Sequence, residues 1–158
     1  EIANRKFFYD VIDTADAVWL TGGRQYYCAK TFIGTETEKA LWRLLNRGGV
    51  IGGSSAGAQI QSSFMTRAGG AKVFGDGTTQ KGFGFITNTA FNVHVSARKR
   101  NNDLFEIFAA NSVEFNDKKL KPKNLLGIGI DESTAIIVRQ DRFEVVGGQN
   151  VFVFDPQK

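Results

Sequence analysis

Short apolar runs recur along the chain and predict its strands. Three runs are too short for a helix and are typical of buried strands: 17–20, 50–51 and 125–130. Three later runs, separated by polar or glycine-rich turns, predict antiparallel strands: 135–138, 142–146 and 151–154.

Helical spacing appears between these runs. Thr35 and Glu38 have the spacing of a capping box, and the apolar residues after them recur every three or four positions until Gly48 and Gly49. Other segments are predicted to be helical: 7–12, a helix that carries Ile60 and Phe64, and 104–108. The stretch 67–81 is rich in glycine and threonine and predicts a loop, which is either a lid or a gap in the chain.

The alternation of strands and helices predicts an α/β layered sheet with an antiparallel extension at one edge. No apolar strand precedes Phe7, although such a sheet normally opens on one. We therefore expect a single domain over residues 1–158 whose N-terminal strands are missing from this chain. Ligands of such sheets gather at the carboxyl ends of strands, where four candidate groups fall: Gln25, Ser55, His94 and the pair Asp131 and Glu132.

Residues 53–57, Gly-Ser-Ser-Ala-Gly, match the pattern of a strand-turn-helix that carries a nucleophilic serine. The glycines are needed because a Cβ beside so sharp a turn would collide with the strand or the helix. The turn exposes the hydroxyl of Ser55 next to the N–H of Ala56, which can stabilise an oxyanion. The alternative is a turn that binds a phosphate or nothing. The flanking strand and helix signals favour the nucleophile.

His94 is the only histidine in the chain. A nucleophilic serine needs a base with a pKa near neutral, so activation of Ser55 by a histidine of this chain depends on His94. The alternative is a structural histidine. Since Cys28 is the only other soft ligand, the sequence argues against a zinc site, and a single cysteine forms no internal disulfide.

Asp131 and Glu132 follow a predicted strand and are candidates for the carboxylate that orients the imidazole. Adjacent side chains of an extended segment face opposite ways, so only one of the two can point at His94. The pattern leaves the two tied. Either is otherwise a solvated turn carboxylate or a cap.

Basic and amide groups near these positions are candidates for substrate binding. Arg98 and Arg100 share a face if the segment after His94 is extended, and paired guanidinium groups hold carboxylates; the alternative is a solvated basic run. Gln25 follows Gly22 and Gly23 and can bind a substrate amide or carboxylate, with a glycine N–H as a second oxyanion donor, or is an ordinary turn residue.

Composition narrows the class of partner. The chain has 158 residues, 42% apolar and 23% charged, which is ordinary for one soluble domain. Its formal charge of +4 is dispersed and fits a small anionic or zwitterionic substrate, and we expect no nucleic-acid partner. No apolar stretch of about 18 residues is present, so we expect no membrane partner.

Four motifs together resemble the cyanophycinase-like serine peptidases, a family that also includes aspartyl dipeptidase: Thr-Gly-Gly-Arg-Gln at 21–25, Gly-Ser-Ser-Ala-Gly-Ala at 53–58, His94 with Arg98 and Arg100, and Gly-Ile-Gly-Ile-Asp-Glu-Ser-Thr-Ala at 127–135. The resemblance implies a flavodoxin-like fold akin to class I glutamine amidotransferases. It also implies a Ser-His-Glu triad, which selects Glu132 over Asp131 as the acid beside the nucleophile Ser55 and the base His94.

The resemblance further implies that Gln25, Arg98 and Arg100 bind substrate, and we assign the oxyanion hole to Ala56 and Gly23. No cofactor or metal is expected. The expected substrates are aspartate-containing peptides, with cyanophycin or its β-aspartyl-arginine unit as the sharpest candidate.

The chain departs from the family's pattern around the histidine. Asn92 and Val93 replace an Asp-Gln pair, Asp103 stands where the family has a third arginine, and Ser54 replaces a threonine. An aspartate in place of an arginine is expected to favour a more cationic ligand.

Two other hypotheses remain open. One is a catalytically silent member that binds a peptide or protein. The other is an esterase of the α/β-hydrolase type, which is disfavoured because its acid precedes the histidine in sequence. A homodimer is one option for assembly, and the number of copies is left open. The compartment is also left open, with a cytoplasmic location favoured over secretion.

Overall fold

The computed structural model describes residues 2–67, 73, 80–109 and 121–158. Most of the predicted loop at 67–81 lies outside the described residues, so whether it is a lid or a gap stays untested. Within the described part, no helix combines the length and apolar character needed to cross a membrane.

The first part of the chain alternates helices with two parallel strands: α1 Lys6–Thr14, β1 Ala17–Leu20, α2 Gln25–Phe32, α3 Glu36–Asn46 and β2 Val50–Gly53. β1 pairs with β2 from Ala17 opposite Val50 onward. The predicted cap of α3 is present, because the Thr35 hydroxyl accepts the N–H of Glu38 at 3.4 Å. The Glu38 carboxylate accepts the N–H of Gly34 at 2.6 Å, one residue before the usual position.

The second part of the chain builds the larger sheet: α4 Ala56–Gln59, β3 Ser62–Met65, β4 Ile86–Val93, α5 Asp103–Ala109, β5 Leu126–Ile130, β6 Thr134–Arg139, β7 Arg142–Gly147 and β8 Val151–Phe154. Its strand order is β3-β4-β5-β8, in which the first three strands are parallel and β8 is antiparallel. β6 and β7 form a separate antiparallel hairpin. The structure is thus mixed α/β with antiparallel strands near the C-terminal end, as predicted.

One predicted helix differs from the structure, and one observed helix was not predicted. The helix expected to carry Ile60 and Phe64 is wrong, because α4 ends at Gln59 and Phe64 lies in β3. The Ser62 hydroxyl donates to the carbonyls of Gln59 and Phe64, which satisfies backbone groups outside a helix. Pairing of β3 with β4 then buries all of β3. Helix α2, after the glycine turn, was not predicted.

The core lies on both faces of the larger sheet, β3-β4-β5-β8. On one side, Ile60 and Met65 pack with residues of α2 and α3, including Ala29 and Leu41. On another, Phe64 and Ala90 pack with Leu104 and Ile107 of α5. Because β3, β4 and β5 are parallel, their carboxyl ends lie at the same edge of the sheet.

Candidate active site

Ser55 lies in a strained turn between β2 and α4. Its φ of 53° and ψ of −113° are unusual for a residue with a side chain. A Cβ added to Gly57 would lie 2.0 Å from the carbonyl oxygen of Leu20, and one on Gly53 would lie 2.4 Å from that of Gly57. The two flanking glycines are therefore required by close backbone packing, as the pentapeptide predicts.

A row of hydrogen bonds runs from Ser55 to Glu132 through His94. The Ser55 Oγ lies 2.8 Å from Nε2 of His94, and Nδ1 of His94 lies 2.7 Å from Oε1 of Glu132. When Nδ1 carries the proton and donates to the carboxylate, Nε2 is left as the acceptor for the serine hydroxyl. His94 follows β4 directly, with a φ of 58°, and its side chain is only 20% exposed. Glu132 is 54% exposed.

Asp131 and Glu132 do face opposite ways. Asp131 is 5% exposed and accepts the N–H and the hydroxyl of Ser96, both at 2.8 Å, and the side-chain amide of Asn150 at 3.5 Å. Burial alone would raise the pKa of Asp131, but these hydrogen bonds outweigh it and hold the pKa below its usual value. Asp131 thus ties the turn after His94 to the turn that carries Glu132.

Two backbone N–H groups near Ser55 are the ones expected to form the oxyanion hole. The N–H groups of Ala56 and Gly23 donate to no acceptor among the residues that the structure describes. Gly23 has a φ of 142°, which favours glycine. A Cβ on Gly22 would lie 3.5 Å from that of Ser55, so this glycine turn lies beside the nucleophile candidate.

Gln25 begins α2, and its amide group is directed into the protein. Its Nε2 donates to the carbonyls of Thr66 at 3.0 Å and Arg67 at 3.1 Å. Both N–H groups of the amide are thereby used, and the Oε1 atom is left to accept a hydrogen bond. Gln25 is therefore suited to bind an N–H group of a ligand rather than a carboxylate.

The segment after His94 is a turn, so the prediction that Arg98 and Arg100 share one extended face is wrong. The N–H of Arg98 bonds to the carbonyl of His94 at 3.0 Å, and that of Arg100 to the carbonyl of Val95 at 2.8 Å. The positive φ of His94 reverses the chain immediately after β4. Arg98 is exposed, whereas Arg100 is half-buried.

Arg100 is held against the end of β4. Its Nη1 donates to the carbonyl of Val93, the residue before His94, at 3.1 Å. Burial, followed by the like charges of Arg67 and Arg98, lowers the pKa of Arg100 from its usual value. The positive charges of Arg67 and Arg98 therefore act on the Arg100 guanidinium.

Arg67 was missed by the sequence analysis and forms a bidentate ion pair with Asp103. The distances are 2.5 Å from Nε to Oδ2 and 2.6 Å from Nη2 to Oδ1. Asp103 is 3% exposed and also accepts the side-chain amide of Asn92 at 3.3 Å. Its carboxylate is thus engaged by the protein, which removes the basis for expecting a more cationic ligand. No local pattern reveals this pair, since 36 positions separate its members.

A buried network of side-chain amides and hydroxyls joins Arg67 to α4, the helix that follows Ser55. Asn92 is fully buried, accepts the Thr66 hydroxyl at 3.1 Å and donates to the carbonyl of Arg100 at 3.1 Å. Gln59 of α4 donates to the hydroxyl of Thr66 at 2.6 Å and to the carbonyl of Phe91 at 3.0 Å. The network therefore connects the ends of β3 and β4 to the helix that follows Ser55.

No group of three or more histidine, cysteine or acidic side chains suited to a metal ion occurs among the described residues. Cys28 is a half-buried free thiol, and burial raises its pKa. The groups that the structure brings into contact at the site are a hydroxyl, an imidazole and a carboxylate.

A strained serine hydrogen-bonded to a histidine that contacts a carboxylate is the arrangement used by serine hydrolases. The model of peptidase family S51 matches residues 3–146. The chain therefore belongs to peptidase family S51, and the predicted resemblance is confirmed.

The chain is similar to several cyanophycinases. It is 29% identical to those of Trichormus variabilis and of a Nostoc species over 153 residues, which is 92% of this chain and 47% of each relative. It is 27% identical to the cyanophycinase of Geminocystis herdmanii over 160 residues, 96% of this chain and 54% of the relative. The chain thus spans about half the length of the curated relatives it matches.

Two crystal structures share the fold. A peptidase from an acI-B1 Actinobacterium superimposes with a TM-score of 0.71 at 24% identity, over 98% of this chain and 59% of the other. A candidate peptidase E protein from Listeria monocytogenes EGD-e superimposes with a TM-score of 0.65 at 15% identity, over 94% of this chain and 69% of the other.

Proposed function

We propose that this protein is a serine hydrolase that cleaves amide bonds of aspartate-containing peptides. The observation that carries the proposal is the hydrogen-bonded row of Ser55, His94 and Glu132, with distances of 2.8 and 2.7 Å. Membership of a peptidase family supports the reaction class. Similarity to cyanophycinases supports cyanophycin, or its β-aspartyl-arginine unit, as the sharpest candidate substrate.

In the first half of the proposed reaction, Nε2 of His94 takes the proton of Ser55 as its Oγ attacks the amide carbonyl. Glu132 accepts the Nδ1 proton in a hydrogen bond and stabilises the imidazolium that forms. The N–H groups of Ala56 and Gly23 bind the oxyanion of the tetrahedral intermediate. His94 then gives its proton to the leaving amine, and an acyl-serine ester remains.

In the second half, His94 takes a proton from water as the water oxygen attacks the ester carbonyl. Collapse of this intermediate breaks the bond to the Oγ of Ser55, and His94 returns the proton to the serine. The products are a carboxylic acid and an amine. These steps use only side chains of this chain and water.

Substrate binding is proposed on the side of the site that carries the arginines. Arg98 is exposed and Arg100 lies beside the residue that precedes His94, so both can attract a substrate carboxylate. Gln25 accepts an N–H of the peptide through its Oε1 atom. A zwitterionic aspartyl peptide presents both groups: a carboxylate for the arginines and an N–H for Gln25.

We further infer a flavodoxin-like arrangement, akin to that of class I glutamine amidotransferases, within a single domain. The parallel pairing of β3, β4 and β5 and the glycine turn after β1 support it. The homodimer stays a prediction.

The experiment that tests the proposed function is incubation of the protein with β-linked and α-linked aspartyl peptides and with cyanophycin, with products identified by mass. We expect release of an aspartate-containing acid and a free amine, and we expect no turnover by Ser55→Ala. Hydrolysis that persists unchanged in Ser55→Ala would show that another group performs the reaction.

A catalytically silent binding protein is the second candidate. It is favoured by the departures from the pattern of the family resemblance, with Asn92 and Val93 before the histidine and Asp103 in place of a third arginine. A fluorophosphonate probe separates the two functions, because an activated Ser55 becomes labelled and a binding protein stays unlabelled.

A further inference from the structure

We propose that Arg67 is a specificity-determining residue that binds a free carboxylate of the substrate together with Arg98 and Arg100. This inference rests on the proposed function, since it assigns the ligand chemistry of the same site. It is carried by the position of Arg67 between two parts of the site that are distant in sequence.

The first contact places the backbone of Arg67 beside the glycine turn. Its carbonyl accepts a hydrogen bond from the amide of Gln25 at 3.1 Å. Gln25 is three positions after Gly22, where an added Cβ would lie 3.5 Å from that of Ser55. The backbone of Arg67, after the end of β3, therefore lies beside the first residue of the helix that follows the glycine turn.

The second set of contacts places the side chain of Arg67 beside the turn after His94. Asp103, which holds the guanidinium, follows Arg100 by three positions and donates its own N–H to the carbonyl of Arg100 at 3.1 Å. Arg100 in turn bonds to the residue that precedes His94. The positive charge of Arg67 is near enough to contribute to the lowered pKa of Arg100.

The orientation of the Arg67 side chain is held at both ends. Its φ of 53° is an uncommon backbone conformation, and the preceding carbonyl, that of Thr66, accepts bonds from Gln25 and Gln59. At the other end, Asp103 binds one edge of the guanidinium through Nε and Nη2. A side chain held in this way loses little conformational entropy when it binds a ligand.

The opposite edge of the guanidinium is available for a ligand. Two of its five N–H groups are used by Asp103, and no residue in the described part of the chain accepts from Nη1. The side chain is 21% exposed, so it reaches solvent. A partly exposed guanidinium with an unused Nη1, linked through Asp103 to the backbone of Arg100, is suited to bind a carboxylate.

A purely structural role for Arg67 makes a different prediction. If the ion pair with Asp103 only stabilises the fold, its loss weakens every ligand equally. If Arg67 binds a carboxylate, its loss weakens only ligands that carry that group. The comparison of two otherwise identical ligands therefore distinguishes the two roles.

The experiment uses Ser55→Ala, which binds without turnover, and adds Arg67→Gln to it. The ligands are β-aspartyl-arginine and the same dipeptide with its free carboxylates converted to carboxamides, and the dissociation constants are measured by calorimetry. We expect Arg67→Gln to weaken binding of the carboxylate ligand about 10- to 100-fold, as for loss of a charge-assisted hydrogen bond. We expect a change of less than about threefold for the carboxamide ligand, because it presents no anion.

Further variants separate charge from geometry. Arg67→Lys keeps the charge without the planar fork and is expected to weaken carboxylate binding by an intermediate factor. Arg139→Gln, which removes an exposed arginine from the β6–β7 hairpin, is the matched control and is expected to leave both constants unchanged.

Several results would overturn the proposal: equal weakening of both ligands, no weakening of either, or no binding of the carboxylate ligand by Ser55→Ala. Turnover by the unmodified protein is measured separately on the peptide panel. Absence of turnover together with a carboxylate-selective effect of Arg67→Gln would refute the hydrolase and leave the assignment of Arg67 intact. Turnover without that selective effect would do the reverse.

Discussion

The serine turn and the arginine side of the site are built in different ways. The turn at 53–57 is held by backbone atoms packed so closely that a Cβ on Gly53 or Gly57 has no room. The arginine side is held by side chains from three segments, through Arg67, Asp103 and Asn92. A turn of the first kind is recognisable from five consecutive residues, whereas an arrangement of the second kind depends on side chains from distant segments.

The same difference bears on the departure that the family resemblance implies. The pentapeptide around Ser55 has both glycines of the nucleophile pattern, and Asp103 stands where the resemblance implies an arginine. The structure pairs that aspartate with Arg67, so an arginine is still present on this side of the site but comes from the end of β3. The following experiments test each half of the comparison.

The largest effect is expected at the serine. Ser55→Ala removes the proposed nucleophile and should lower turnover by about four to six orders of magnitude. Ser54→Ala, which alters the exposed neighbouring hydroxyl, is the control and should keep most of the activity. The measurement is kcat on the best peptide of the panel, and similar rates for the two variants would contradict the assignment.

Glu132→Gln should lower kcat by about 10²- to 10⁴-fold, because an amide no longer stabilises the imidazolium of His94. The side chain is 54% exposed, so we expect little change in the free energy of unfolding. Glu144→Gln on β7 removes another exposed glutamate and serves as the control. Parallel losses of activity and stability would instead indicate a structural role for Glu132.

Gly57→Ala tests the backbone half of the comparison. The added Cβ would lie 2.0 Å from the carbonyl oxygen of Leu20, so the turn must shift. We expect a loss of about 1–3 kcal/mol in stability and, from misplacement of Ser55, about a 100-fold loss of activity. Gly148→Ala, where a Cβ meets nothing within 4 Å, should leave thermal unfolding and turnover unchanged.

Asp103→Asn tests the side-chain half. It leaves the partly buried guanidinium of Arg67 without a charged partner, and we expect a loss of about 1–3 kcal/mol measured by denaturant unfolding. Because the two residues contact each other, the double variant with Arg67→Gln should cost less than the sum of the single losses. Strict additivity would show that the ion pair contributes nothing to stability.

The smallest effect is expected at Asp131, whose folded pKa is lowered. A lowered folded pKa means that its stabilising contribution is fully present above the unfolded pKa, about 3.9, and is lost as pH falls through the folded value. Asp131→Asn should therefore cost about 1 kcal/mol near neutral pH and less in acid. An equal loss at pH 3 and pH 7 in denaturant titrations would contradict this account.

Much of the site was predictable from the sequence because its signals are local. Ser55, the lone His94 and the acidic pair each come soon after a strand, and β1 and β5 end at Leu20 and Ile130, as the apolar runs predict. The choice of Glu132 over Asp131 came from the family resemblance, since alternation only states that one of the two faces His94. The predicted length of α4 was wrong because the pairing of β3 with β4 outweighs the helical pattern of that segment.

The sequence by itself determined which residues could form a sharp serine turn, because the small residues that such a turn needs lie within five consecutive positions. Only the tertiary structure decided that the segment after His94 is a turn, so that Arg98 and Arg100 do not share an extended face, and that Arg67 pairs with Asp103. Those outcomes depend on a reversal of the chain and on contacts between positions 36 residues apart. Such contacts leave no periodic trace, because each partner satisfies the other only after the sheet has brought them together.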